Sequence, residues 1–208
     1  MSRTTMRRAA SVAAATALLA GSFATGAATA SAASILSDLG STASAPDVPA
    51  SATVTVDNLV VTKAIVGSNQ IAATGQVTYR TTISATSGPD RLITKIVDLN
   101  PVALVYVEGS AKVTSWQNGA MTSESVTATA SANAGVAVSN AAGWVVSAIG
   151  NKTVTFDVTY SVKSVGVSTG IFDSGLAIDV AGLPEQQWPA MGVKFNLVGS
   201  VTPSFGSS

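Results

Sequence analysis

The sequence predicts an all-β chain folded as an antiparallel β-sandwich, with extra strands toward its C-terminal end. Three observations predict it. Apolar residues recur at every second position beyond residue 52, the period of a strand with one buried and one wet face. Turn residues interrupt these runs at short intervals. No segment beyond the first 32 residues shows a sustained apolar stripe at helical spacing.

The elements follow in order. Thr53-Val54-Thr55-Val56 alternates, and Leu59-Val60-Val61 continues that run. Val77, Tyr79, Thr81 and Ile83 share one face of a strand, with Gln76, Thr78, Arg80 and Thr82 on the other. Residues 153–163 give the clearest case, where Val154, Phe156, Val158, Tyr160 and Val162 alternate with polar residues. Val193, Phe195 and Leu197 alternate with Lys194 and Asn196. Turns are expected at Gly67-Ser68-Asn69, Ser87-Gly88-Pro89-Asp90, Asn100-Pro101, Glu108-Gly109, Gln117-Asn118-Gly119, Gly150-Asn151 and Asp173-Ser174-Gly175. Asn118-Gly119 is a two-residue hairpin signal. Pro101 cannot donate to a ladder and marks a strand end. Seven or more short strands divided in this way indicate a sandwich or barrel. Tyr79, Trp144 and Phe156 are the expected core aromatics. Residues 164–203 are expected to add strands at an edge or to extend one sheet.

The N-terminus reads as an address. Arg3, Arg7 and Arg8 precede an Ala-rich apolar run from Ala9 to Ala20, and small residues end at Ala30-Ser31-Ala32. This is the layout of a secretory signal peptide over residues 1–32. The run is shorter than the roughly 20 residues a bilayer-spanning helix needs. Arg7-Arg8 also fits a twin-arginine pair, but Ala9-Ala10 stands where such a signal has large apolar residues. Residues 33–52 read as a flexible leader, residues 53–203 as one domain and residues 204–208 as a loose tail.

Charge and composition narrow the function. The chain of 208 residues has 11 basic and 11 acidic side chains, no His and no Cys. Three of the basic residues lie in the signal, which leaves 8 basic against 11 acidic residues, a net charge of −3. That balance excludes a nucleic-acid binder held by phosphate contacts. Missing Cys excludes disulfides and thiolate chemistry, and missing His removes the commonest general base and metal ligand.

Residues 75–163 resemble one copy of the bacterial Ig-like module known as the conserved-repeat, or DUF11, domain. Its opening strand is matched by Gln76-Val77-Thr78-Tyr79-Arg80-Thr81-Thr82-Ile83-Ser84. Its central run is matched by Ile96-Val97-Asp98-Leu99-Asn100-Pro101 and Tyr106-Val107-Glu108-Gly109-Ser110-Ala111. Its tryptophan and following strand are matched by Trp144 and Gly150–Val162. The departures are Thr86-Ser87-Gly88 at the family's "NTG" turn, Asn100 inserted before Pro101, and a longer, Ala-rich stretch over 117–142. The resemblance implies an Ig-like sandwich from a surface protein.

Candidate chemistry is sparse. Gly166-Val167-Ser168-Thr169-Gly170 has the spacing of a hydrolase elbow, which needs a strand-to-helix turn and a histidine base. The carboxylates Asp90, Asp98, Glu108, Glu124, Asp157, Asp173 and Asp179 stand singly and read as solvated turn or strand-face residues. Asp98, Asn100 and Asp173 are oxygen donors without a calcium-loop pattern. The expectation is no catalytic residue, no metal and no cofactor. Gln186-Gln187-Trp188-Pro189 reads as an uncharged loop, and Trp188, Gln187 and Trp116 are the candidate partner contacts.

The sequence therefore points to a secreted, non-catalytic Ig-like structural or interaction module, acting at or outside the cell envelope on a protein or an envelope component. The alternative is a β-barrel channel of a mycolate-type outer membrane, since Gly135–Ala141 resembles a stretch of the MspA-type porins. Aromatic residues, at 5%, are sparse for the two girdles of such a barrel.

Overall fold

A computed structural model describes residues 48–131, 135–163 and 167–199. The signal read over 1–32, most of the leader and the tail over 204–208 lie outside the described residues. Among the described residues there are thirteen strands and no helix.

The strands, numbered in chain order, form two sheets. Sheet one has the order β1 (Ser51–Val56), β2 (Leu59–Val66), β4 (Gln76–Ala85), β11 (Val154–Val162), β7 (Lys112–Gln117) and β8 (Ala120–Ser125), with β6 (Leu104–Tyr106) also beside β11. Sheet two has the order β3 (Gln70–Ala72), β13 (Gln186–Val198), β12 (Gly170–Val180), β5 (Arg91–Leu99), β10 (Gly135–Val146) and β9 (Thr129–Ser131). Strand pairs are antiparallel, except that β3 runs parallel to β13. This is the all-β antiparallel sandwich that the alternating pattern predicts.

The alternation places the core. Every second residue of β11 is buried, from Val154 to Val162. Tyr79, Phe156 and Trp144 lie inside, as expected. From sheet two, Ile93, Ile96, Val138, Leu176, Ile178, Val193 and Phe195 meet them in one continuous cluster. Buried side chains of the two sheets meet in the space between them. A second cluster, Val97, Leu99, Ala137 and Ala177, is gathered by register on the face of sheet two turned away from sheet one.

Asn118-Gly119 makes the predicted two-residue hairpin, with φ of 50° and 89°. Several expectations need correction. The run over 53–61 is two strands, because Asp57-Asn58 turns the chain into a hairpin between β1 and β2. The Asn58 side chain then bonds the carbonyls of Ser87 and Pro89, tying two turns together. The C-terminal strands do extend one sheet, but β12 is central in it, between β5 and β13.

Asp173-Ser174-Gly175 is not a turn, and Gln186–Pro189 is not a loop. The first lies inside β12 and the second opens β13, where Trp188 pairs with Leu176. The pairing jumps from Leu176↔Trp188 to Ser174↔Val193, so residues 189–192 bulge against Gly175. A bulge tolerates Pro189, which has no N–H for a ladder. The bulge also presses the backbone onto Gly175, where a Cβ would lie 2.3 Å from the Pro189 carbonyl oxygen. Glycine and proline, both read as loop signals, here serve one distortion within a sheet.

Candidate functional site

The most unusual chemistry lies between the sheets. In β2 the inward phase runs Leu59, Val61, Lys63, Ile65, so the strand carries a lysine into the core. Opposite, β5 presents Asp98. The Lys63 Nζ lies 2.7 Å from Asp98 Oδ2, and both side chains are 0% exposed. The ammonium also donates to Ser174 Oγ and, at 2.6 Å, to the Gly175 carbonyl oxygen. These three acceptors match its three N–H groups. It sits 4.4 Å from the centre of the Tyr79 ring, within cation–π range.

Further hydrogen bonds come from both sheets. The Tyr160 hydroxyl on β11 donates to Asp98 Oδ1 at 3.0 Å. Ser174 Oγ donates to the Leu99 carbonyl oxygen at 3.2 Å. Strand β12 supplies both the Ser174 hydroxyl and, where β13 bulges against it, the Gly175 carbonyl to the lysine. Burial pushes the Lys63 amine down from its ordinary value, against the pull of Asp98. Burial, with Asp98 nearby, pushes the Tyr160 phenol up, and the same causes push up that of Tyr79. A pair with no exposed surface meets no substrate, so its role is to join the sheets.

Asp98 therefore corrects the reading of that carboxylate as solvated. The signal that could have found the pair is a lysine in the apolar phase of a strand, together with the run Ile96-Val97-Asp98-Leu99. Ser174 shares the inward phase of Leu176, Ile178 and Val180, but reading Asp173-Ser174-Gly175 as a turn hid it.

The surface candidates separate. Trp116 lies in β7 on the outer, half-exposed phase, with Val113 and Ser115 pointing inward. Lys152 Nζ stands 5.6 Å from its ring centre. Trp116 is paired in register with Met121 of β8, which is 41% exposed. Every residue of β8 is exposed, and β8 is the edge of sheet one. Trp188 is half-buried and packs against the core cluster, while Gln187 is exposed beside it. The structure does not bring Trp116 and Trp188 onto one sheet.

Ser168 of the hydrolase-like pattern leads into strand β12 rather than a helix, so no nucleophile elbow forms there. No group of three or more carboxylates able to hold a metal occurs among the described residues. No helix among them is long and apolar enough to cross a membrane.

No family model matches the chain, and no curated protein matches it. Among solved structures it is similar to the collagen-binding domain of the Erysipelothrix rhusiopathiae surface protein RspB, with a TM-score of 0.40 and 13% identity over 65% of this chain. The match spans only 45% of that chain. A collagen-binding domain from a Staphylococcus aureus adhesin gives a TM-score of 0.34 and 10% identity, covering 60% of this chain and 86% of that one. The macrocyclization enzyme AvmM of alchivemycin A biosynthesis gives 0.35 and 12%, covering 68% and 89%. Adhesin domains and an enzyme match at similar scores, so these likenesses assign no ligand.

Proposed function

We propose that this chain is a secreted, non-catalytic Ig-like interaction module that works at or outside the cell envelope and engages its partner through the β7–β8 hairpin. The observation that carries this reading is the hairpin itself. Strand β8 is a sheet edge exposed along its whole length, and an open edge offers backbone donors and acceptors to an added strand. Trp116 and Met121 stand side by side on that hairpin, and a partly exposed tryptophan is the residue type most enriched at binding hot spots. The signal peptide read over 1–32 supports export, and the resemblance of residues 75–163 to an Ig-like surface module supports the site of action. With no His or Cys in the chain, and Lys63 and Asp98 sealed between the sheets, the geometry favours binding over catalysis.

The test is fractionation of the native host expressing tagged wild type, Trp116→Ala or Trp188→Ala. Wild type is expected to sediment with the envelope, and Trp116→Ala to shift to the medium while melting at the same temperature. Trp188→Ala, which removes a side chain packed on the core, is expected to lower stability. Equal envelope retention of wild type and Trp116→Ala would refute the assignment of this surface.

A further inference from the structure

One side of the sandwich is short of a strand. Strand β6 pairs with β11, and among the described residues no other strand lies beside it. Farther along the same edge of β11 stands β7, which pairs in turn with β8. Val126 still donates to the Ala111 carbonyl, and the chain then crosses to sheet two as β9. The lane that a longer β8 would fill beside β6 is left open.

The open edge of β6 has a defined chemistry. The Lys163 N–H donates to the Ala103 carbonyl, and the Val107 N–H donates to that of Thr159. Residues 103, 105 and 107 therefore turn their backbone groups toward β11, and alternation turns the N–H and C=O of Tyr106 the other way. Among the described residues neither group of Tyr106 has a backbone partner.

A groove runs along this edge. One part, of about 280 Å³, lies between Val102, Leu104 and Tyr106 on one side and Ala130 and Val136 on the other. The next part, of about 430 Å³, shares Tyr106 and Ala130 and continues past Glu108 to Val126 and Ala128. Every second residue from Val102 to Glu108 thus lines it, the spacing of one strand face. The Tyr106 ring is held edge-on against Tyr160, with centres 6.3 Å apart, so the floor is preformed.

The groove carries opposite charges at its two ends. Lys163 lines the first part and Glu108 the second. Both are exposed, and neither has an ion-pair partner among the described residues. Lys163 lies opposite Ala103, so the charges stand five positions apart along β6, about 16 Å.

An open backbone edge over an apolar floor suits an added strand. Antiparallel pairing, the more stable kind, sets a basic residue opposite Glu108 and an acidic one five residues later, beside Lys163. We propose that the groove along β6 binds an extended peptide segment of a partner protein, a basic and an acidic residue five positions apart with apolar residues between them facing Tyr106 and Leu104. Trp116 and Met121 do not line this groove, so this proposal and the β7–β8 assignment can fail separately.

The probe is the capped hexapeptide Arg-Thr-Val-Thr-Val-Glu, added to ¹⁵N-labelled protein purified from an exporting host and followed by NMR. One control exchanges its Arg and Glu. A second carries an N-methyl group on the first valine, which removes the donor to the Tyr106 carbonyl. The expected result is a saturable downfield shift of the Tyr106 amide signal with the first peptide. The exchanged peptide is expected to bind about fivefold more weakly, the effect of two exposed ion pairs. The double variant Glu108→Lys with Lys163→Glu, at two exposed positions, is expected to reverse that preference while its circular dichroism stays that of wild type. Four results would overturn the proposal: no shift of the Tyr106 signal with the first peptide, undiminished binding of the N-methylated one, a double variant that keeps the wild-type preference, or slow hydrogen exchange at the Tyr106 amide before any peptide is added, since the edge would then already be paired.

Discussion

Replacing Lys63 by Met keeps the apolar stem and its packing but deletes the ammonium. Asp98 Oδ2 then loses its ion pair, and Ser174 Oγ and the Gly175 carbonyl each lose a donor. Among the described residues, Tyr160 remains the one hydrogen-bond donor to the buried carboxylate. Removing one partner of a buried pair costs about 3–5 kcal/mol, because the other charge is stranded. At roughly 2–4 °C per kcal/mol for a domain of this size, the melting midpoint should fall by about 6–20 °C. The double variant Lys63→Met with Asp98→Leu strands no charge. It leaves only neutral groups unpaired, so it should be more stable than Lys63→Met alone, and within about 2 kcal/mol of wild type. Urea titrations followed by circular dichroism on all three proteins give the comparison. The reasoning is refuted if Lys63→Met costs less than about 1 kcal/mol, or if the double variant is no more stable than the single one.

Other consequences can be checked with the same titrations. Gly175→Ala would place a Cβ 2.3 Å from the Pro189 carbonyl oxygen and 2.4 Å from that of Trp188, so it should cost about 3 kcal/mol, the upper end for overpacking. Gly119→Ala meets no atom within 4 Å but must hold a φ of 89°; it should cost only about 1 kcal/mol, through conformational strain. An alkaline titration should show a loss of stability above pH 10.5. The Tyr79 and Tyr160 phenols are raised on folding, so their contribution is complete below the unfolded value of 10 and declines as pH climbs toward the folded value. Lys63 is lowered on folding, so its contribution rises with pH and is complete near its unfolded value of 10.5, leaving the phenols to govern above that point. Phenolate absorbance should show two of the three tyrosines ionising only as the protein unfolds.

The fold class was legible because burial in a sandwich writes itself at period two. Residues 153–163 announce β11, and Asn118-Gly119 announces a hairpin whose positive φ values require those residue types. Where the pattern misled, the cause was a residue with two physical uses. Glycine and proline mark turns, but Gly175 and Pro189 occupy a bulge inside a sheet, so Trp188 reads as a loop residue when it is a strand residue. Asp98 reads as a surface carboxylate because its partner is 35 positions away in sequence, and only the packing of β2 on β5 brings the two together. The break in β10, whose register against β5 jumps between Ser139 and Trp144, was hidden for a similar reason: an Ala-rich run with Gly143 carries no strong alternation in either direction. Local chemistry predicts the strands, and long-range packing decides which polar residues they bury.

That distinction bears on why the core holds a charge at all. The inward rows of these sheets are largely interchangeable β-branched residues, and shifting one sheet along the other by two residues would keep every apolar side chain inward. The same shift would part Lys63 from Asp98 and Ser174, and Tyr160 from Asp98. An alternative packing therefore leaves buried charges unpaired, at a cost of several kcal/mol, whereas an all-apolar interface penalises it far less. The ion pair is best understood as a device that selects one placement of the sheets rather than one that maximises stability. The Lys63→Met, Asp98→Leu double variant separates these roles. It should retain most of its stability yet show a less dispersed methyl NMR spectrum and a weaker near-ultraviolet dichroism, as several packings become close in energy. A double variant with wild-type dispersion would mean that side-chain shape alone fixes the placement, and that the pair has no such role.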